Sequence, residues 1–239
     1  MGYKVGAGSA CQVKIQSVFG VSEKPDTLLN MTSESVSISV EKGDEGNLLL
    51  SKTANQRDLM SIKVDGSVST VLRPEFADWL FMASLGVKQG NEYTLAEPNS
   101  ELPVSTVVMS RGGIVKTYPD VTVKSVKINA SAQDYVKADI EFVGIKELST
   151  GDEGAQEVEK LSFTKPSYRC TSAVLFYGVG GSDKDSLVNK LDVESTDITI
   201  DNGIEDSPVV YSGGVYSSRP MMGLRSVTVD FSIPYSDAI

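Results

Sequence analysis

Alternating apolar and polar residues run through most of the chain and predict β-strands. In Ser35–Val40 the period of two is strict, and Val36, Ile38 and Val40 point to the same side. Such strands have one dry and one wet face, as in antiparallel sheets. The same period continues in Ser61–Val68, Tyr135–Phe142 and Arg225–Ile233, with Val227, Val229, Phe231 and Ile233 predicted to point inward in the last.

A change of phase marks one further strand, Val121–Ile128. Its alternation slips near Lys124 and Ser125. One extra residue on one strand of an antiparallel pair produces such a slip, so we predict a β-bulge there.

The stretch Ser69–Gly86 interrupts the alternation and predicts a single α-helix. Pro74 suits the first turn, where its missing N–H costs nothing, and Gly86 suits a left-handed C-cap. Glu75 lies near the positive end of the helix dipole. We expect an apolar face that either closes the β core or docks between subunits. This face is formed at spacings of three and four by Phe76, Trp79, Leu80 and Ala83.

An internal duplication is indicated by segments that recur in the same order. Glu34–Gly43 aligns without gaps on Glu194–Gly203, and Ile62–Val68 aligns on Val227–Ile233. We therefore divide the chain into a first unit at 1–150, with the helix near 74–85, and a second, incomplete unit at 151–239. Leu148–Lys160 reads as the linker or long loop between them. The alternative is one long sandwich with similar strands; the shorter second copy indicates either a partial repeat or a chain that is cut short.

The composition of the chain argues against most kinds of catalytic, metal and nucleic-acid-binding site. The net charge of −10 disfavours binding to phosphate backbones, which needs clustered lysine and arginine. The chain has no histidine and only two cysteines, Cys11 and Cys170, so we expect no zinc site and no histidine-based catalysis. Adjacent acids such as Glu205 and Asp206 point to opposite faces of a strand and do not suit a two-carboxylate enzyme. We expect no enzyme activity, no cofactor, no metal and no membrane span.

Four segments together resemble one known family. They are Gly66–Gly86, Thr117–Gly144, Ser195–Pro208 and Arg219–Tyr235, which cover more than half of the chain. Their pattern is similar to that of bacteriophage tail tube proteins, in particular the longer, siphophage-like ones. The resemblance implies an antiparallel β-sandwich or half-barrel with one flanking α-helix and two tube-like units. It also implies rings of three duplicated or six single subunits.

The resemblance further implies a structural role in the virion. Stacked rings would form the tail tube, and double-stranded DNA would pass through the lumen without specific binding. The implied partners are other copies of the chain, a tape-measure protein, a tail terminator and baseplate or tip proteins. The subunit would be made in the cytoplasm of the bacterial host and end in the phage tail. The competing hypothesis is another β-sandwich assembly protein: a capsid decoration protein, a pilin-like subunit or an adhesin.

Two groups of residues are candidate assembly sites within this role. Acidic residues on the wet faces of three predicted strands would line the lumen or the outer wall, and the pattern does not distinguish these. They are Asp65, Asp139, Glu141 and Asp230. Leu48, Leu49 and Leu50 lie in a polar stretch and would either contact the next ring or form another short strand.

Overall fold

The structure is a computed structural model that describes residues 9–44, 57–90, 92–96, 101–171, 173–177, 189–204 and 222–234. The chain is mainly β, with antiparallel sheets, a single helix and no closed barrel within these ranges, as the alternating pattern predicts. In chain order the elements are β1 (Ala10–Ile15), β2 (Thr27–Leu29), β3 (Met31–Glu34), β4 (Ser37–Asp44), β5 (Arg57–Val71), α1 (Pro74–Leu85), β6 (Gly86–Gln89), β7 (Glu92–Leu95), β8 (Ser105–Arg111), β9 (Ile114–Ser131), β10 (Asp134–Tyr135), β11 (Lys137–Gly144), β12 (Leu148–Ser149), β13 (Arg169–Cys170), β14 (Ala173–Tyr177), β15 (Asn189–Val193), β16 (Ser195–Asp201) and β17 (Ser226–Ser232).

The predicted helix begins and ends where its local signals place it. Pro74 occupies the first turn, and Glu75 lies beside it near the helix N-terminus. Gly86 ends α1 in the left-handed region, at φ 100°, and its N–H donates to the carbonyl of Met82. Glycine adopts this conformation without the steric cost that a Cβ brings, which is why the helix stops here.

Two sheets share one long strand. The first sheet has the order β2–β1–β8–β9, with β12 also on β9. The second sheet has the order β4–β5–β11–β9–β16–β17, with β3 beside β4 on the same edge of β5. All of these pairs are antiparallel.

Strand β9 passes from the first sheet into the second at a bend. Its N-terminal half pairs with β8 and its C-terminal half with β11. Asp120, at φ 56°, lies at the changeover. Further on, Glu141 pairs with Ser125 and Phe142 with Val123, so Lys124 is the extra residue of a bulge. The predicted β-bulge is therefore confirmed.

The hydrophobic core lies between the two sheets and α1. It joins Val107 of the first sheet and Ile140 of the second sheet to Phe76 and Leu80 of the helix, all with at most 1% of their surface exposed. A core of this kind requires each sheet to present one apolar face inward.

The predicted linker begins with β12 and a turn, and from residue 155 the chain continues as irregular backbone across the first sheet to the start of the helix. The Glu159 N–H donates to Gln12 Oε1 at 2.8 Å, and Gln12 Nε2 donates to the Glu159 carbonyl at 2.7 Å. Beyond it, the Thr164 N–H donates to Glu75 Oε1 at 2.9 Å. Residues 155–168 are thus fastened to the sandwich although they form no strand of their own.

Candidate assembly surface

The polar face of the second sheet gathers residues from six strands. Directly paired residues of antiparallel strands point to the same side, so the register identifies the face. Asp139 pairs with Lys127 on one side and Ser69 on the other, and Asp197 pairs with both Asn129 and Asp230. The four acids selected from the sequence all lie on this face: Asp65, Asp139, Glu141 and Asp230.

This face is net acidic. Apart from Val71 and Val143, its other described positions are serine, threonine, asparagine and lysine, and sequence reasoning did not single out its further acids on β16. Small polar and charged side chains without aromatic rings offer no platform on which bases could stack. The carboxylates of the face whose side chains are described are Asp65, Asp139, Glu141, Asp197, Asp201 and Asp230; its lysines are Lys63, Lys124, Lys127 and Lys137.

Lys127 lies among several of these carboxylates. Its Nζ is 2.9 Å from Asp197 Oδ2. The hydrogen bond to Asp197 raises the pKa of Lys127, and the charges of Asp197, Asp139 and Asp230 add to this effect. Hydrogen bonds from Lys127, and then from Asn129, hold the pKa of Asp197 below its usual range. At neutral pH Lys127 and Asp197 are therefore both charged.

The opposite face of the second sheet is apolar, and its cover is uneven. In the middle, Ala138 and Ile140 are fully buried beneath the rest of the core. At the β17 edge the prediction of inward-facing side chains needs correction, because these residues share the apolar face yet remain about half exposed. The exposed fractions are 50% for Val227, 48% for Val229, 45% for Phe231 and 48% for Ile233. At the β4 edge, Ile38 and Val40 are 40% and 44% exposed.

Two strand edges of the second sheet are open within the described ranges. β4 pairs there with β5 alone and β17 with β16 alone. The two edge hairpins have equivalent registers under the repeat alignment. In β4–β5 the pairs are Ser37 with Asp65, Ile38 with Val64 and Val40 with Ile62; at the aligned positions of β16–β17 they are Asp197 with Asp230, Ile198 with Val229 and Ile200 with Val227.

The apolar face of α1 lies inside the core of the chain. Trp79 is 5% exposed, its Nε1 donates to Ser105 Oγ at 3.2 Å, and its ring lies 6.4 Å from that of Phe142. Phe76, Leu80 and Ala83 are fully buried. These side chains connect the helix to both sheets. Leu48, Leu49 and Leu50 lie outside the described residues.

The described residues contain few groups suited to chemistry. Cys11 is a fully buried free thiol, and burial raises its pKa to about 12, so it stays protonated and unreactive. Cys170 is also free. In the described part of the chain no three histidine, cysteine, aspartate or glutamate side chains are grouped as metal ligands. Over the same residues, no helix is long and apolar enough to cross a membrane.

Comparison with known proteins gives one clear match. The sequence model of a family described as "Phage tail tube protein" matches residues 6–239, which is nearly the whole chain. No curated protein matches the sequence at a significant level.

Proposed function

Because the chain belongs to the phage tail tube protein family, we propose that it is a structural subunit whose copies join edge to edge into rings and form the conduit for DNA. The observation that carries this proposal is the polar face of the second sheet. In our proposal this face lines the lumen, and the first sheet and α1 form the outer layer.

The charge of the polar face supports a lumen. DNA carries a dense line of phosphates and is bound by clustered lysine and arginine. Six carboxylates against four lysines, among the described side chains of the face, give a wall that repels phosphates. Repulsion acts over about 8–10 Å at physiological salt, so it keeps the duplex off the wall without blocking its passage.

The two open edges support ring formation. An exposed strand edge is a template for pairing with another chain, and closure into a ring satisfies every edge at once. Successive strands from β4 to β17 alternate in direction, so the β17 edge of one copy can pair antiparallel with the β4 edge of the next. This pairing keeps the polar faces continuous and places the half-exposed strip of β17 beside Ile38 and Val40.

The equivalent hairpin registers support our inference of a duplicated chain, with units at 1–150 and 151–239. In a ring of single units, the β4–β5 hairpin of a neighbouring copy would pair with β9. In the duplicated chain, the β16–β17 hairpin takes that place on β9. The proposed ring contains three duplicated chains or six subunits. The proposed partners are a tape-measure protein inside the tube, with a tail terminator and baseplate or tip proteins at its ends. The subunit would be made in the host cytoplasm and act in the virion tail.

Labelling of single cysteines tests which face lines the lumen. Thr228 is exposed on the polar face, and Thr94 is exposed on β7, outside the second sheet. Thr228→Cys should react with a bulky polyethylene-glycol maleimide in free subunits and be protected in tubes. Thr94→Cys, the matched control, should react in both states, and the buried native thiols give the background. Equal labelling of Thr228→Cys in tubes and in free subunits would rule out this lumen.

Negative-stain microscopy tests assembly itself. The purified chain should form rings or tubes wide enough to hold a DNA duplex. A chain that remains a monomer at every concentration, and never joins tubes of a homologous subunit, would contradict the proposed function.

A further inference from the structure

The loop between β1 and β2 displays three apolar side chains at its tip. Val18, Phe19 and Val21 are 60%, 41% and 56% exposed. We call residues 17–22 the apolar tip. Exposed apolar side chains that cluster are costly in water and mark interaction sites more often than scattered ones do.

Buried polar side chains hold the backbone of the apolar tip. Gln16, 7% exposed, donates from Nε2 to the Val21 carbonyl at 2.6 Å and accepts from the Asp120 N–H at 3.0 Å. Asp120, 2% exposed, accepts from the Gly20 N–H at 2.7 Å. The strained, positive φ of Asp120 is maintained at the point where it supports the tip.

A second set of hydrogen bonds closes the base of the loop. The Glu23 N–H donates to Thr106 Oγ1 at 2.8 Å, and both the N–H and the hydroxyl of Ser17 donate to Glu23 Oε1. These bonds from Ser17 lower the pKa of Glu23, so its carboxylate remains an acceptor at neutral pH. The tip is therefore preorganised, and binding would cost little additional ordering.

The apolar tip and a second surface feature lie at opposite ends of the second sheet. Asp120 holds the tip. Two residues further along β9, Thr122 pairs with Val143 near the C-terminal end of β11. At the N-terminal end of β11 is a depression of about 360 Å³, which we call the distal depression. Eight residues of β11 separate the two ends, or roughly 25 Å at the rise of a β-strand.

The distal depression combines an aromatic ring with a polar rim. Tyr135 is 38% exposed, and the guanidinium of Arg169 lies 5.1 Å from the centre of its ring and donates from Nη2 to its hydroxyl at 2.9 Å. The lining consists of Gln133, Asp134, Tyr135, Arg169, Cys170 and Thr171. Tyrosine and arginine are among the residues enriched at the energetic hot spots of protein interfaces.

We propose that the apolar tip of one copy inserts into the distal depression of the copy in the next ring. This inference rests on the proposed function, because a stack of identical rings joins one end of each subunit to the opposite end of another, which is a heterologous contact. One end here carries a rigid apolar projection and the other a depression with an aromatic wall. A net charge of −10 on each chain makes copies repel at long range, so the axial contact needs such short-range apolar packing.

A triple variant, Val18→Ser, Phe19→Ser and Val21→Ser, tests the tip. These side chains are exposed, so the fold and the rings should persist, while the concentration needed for tube growth should rise at least about tenfold. Ile114→Ser is the matched control, since this side chain is 65% exposed at the β8–β9 turn, and its tubes should be normal. Tubes of wild-type length in the triple variant would overturn the inference. An absence of rings from the wild-type chain would instead count against the proposed function.

A cross-link tests the contact directly. Thr171 is exposed and lines the distal depression, whereas Cys11 and Cys170 are both buried, so Val18→Cys together with Thr171→Cys places two accessible thiols at the proposed contact between adjacent rings. Mild oxidation of tubes should then give a ladder of linked chains, because a disulfide requires Cα atoms within about 7 Å. The ladder should vanish in chains that carry only Val18→Cys or only Thr171→Cys. Tubes that grow normally but yield no ladder would contradict this contact. Should the triple variant fail to fold, Tyr135→Ser tests the same contact from the other side by the same growth assay.

Discussion

Replacing Trp79 with alanine should remove most of the stability of the chain. Deletion of a buried tryptophan or phenylalanine side chain costs about 3–5 kcal/mol. Ser105, which is 1% exposed, would also lose the indole donor at 3.2 Å, and a buried polar group left unpaired costs about 1–3 kcal/mol. The sum of about 4–8 kcal/mol is a large part of the 5–15 kcal/mol that typically stabilises a domain.

Urea unfolding followed by far-UV circular dichroism measures this loss. Trp79 is the only tryptophan, so in the wild type its fluorescence reports on the same core independently. Ser105→Ala separates the hydrogen bond from the packing and should cost much less than Trp79→Ala. Leu95→Ala, at a side chain 51% exposed on β7, is the surface control and should stay within about 0.5 kcal/mol of wild type. A Trp79→Ala chain that unfolds within about 1 kcal/mol of wild type would refute this view of the core.

Three further changes probe the cap, a buried ion pair and the polar face. Gly86→Ala should lower the free energy of unfolding by at least about 1 kcal/mol in urea. The φ of Gly86 is 100°, and the added Cβ would meet the Ala96 Cβ at 2.7 Å. Unchanged stability would contradict the helix C-cap at Gly86. Arg111→Met should lower the free energy of unfolding by about 3–5 kcal/mol in the same assay. The substitution leaves the Glu34 carboxylate, which is 3% exposed, without its bidentate partner. A loss below about 1 kcal/mol would mean that water replaces the guanidinium. The lowered pKa of Asp197 adds stability above its unfolded pKa, and this contribution disappears as pH falls through its folded pKa. The stability advantage of wild type over Asp197→Asn should therefore be constant above about pH 5 and shrink as the pH falls through and below the pKa of an unfolded aspartate, about 3.9; a constant difference down to low pH would contradict the assigned shift.

Local signals in the sequence were sufficient for α1 and for the bulge. Pro74 and Gly86 act on the backbone within their own turns, and the phase change at Lys124 is a property of one strand. Such effects depend on neighbours in the chain, so a single sequence carries them.

Pairing between distant strands is different. Alternation placed Asp65, Asp139 and Asp230 on wet faces, but it could not indicate that β5, β11 and β17 belong to one sheet with a common polar face. The register of strands that are distant in sequence depends on the whole fold.

A sequence pattern also cannot show whether an apolar face of a sheet is covered by other elements of the fold. The period of two correctly put Val229 on the apolar face, yet Val229 is 48% exposed while its aligned counterpart Val64 is fully buried. The sequence did not predict the exposed apolar tip for the same reason. A short run containing Val18, Phe19 and Val21 resembles the end of a core strand until neighbouring elements are in place.

The sharing of β9 has a consequence for the order of folding. Its pairings with β8 and β11 link neighbours in the chain, whereas β5 and β16 reach the same sheet from far along the sequence. Contacts between distant segments form slowly because loop closure must come first. We therefore expect the β8–β9–β11 meander to form a common nucleus on which both sheets then grow. Destabilising substitutions in the meander should slow folding, whereas those in β16 should mainly speed unfolding, and the reverse pattern would contradict this order. With one strand serving both sheets, the two sheets of a subunit should be acquired in a single cooperative transition.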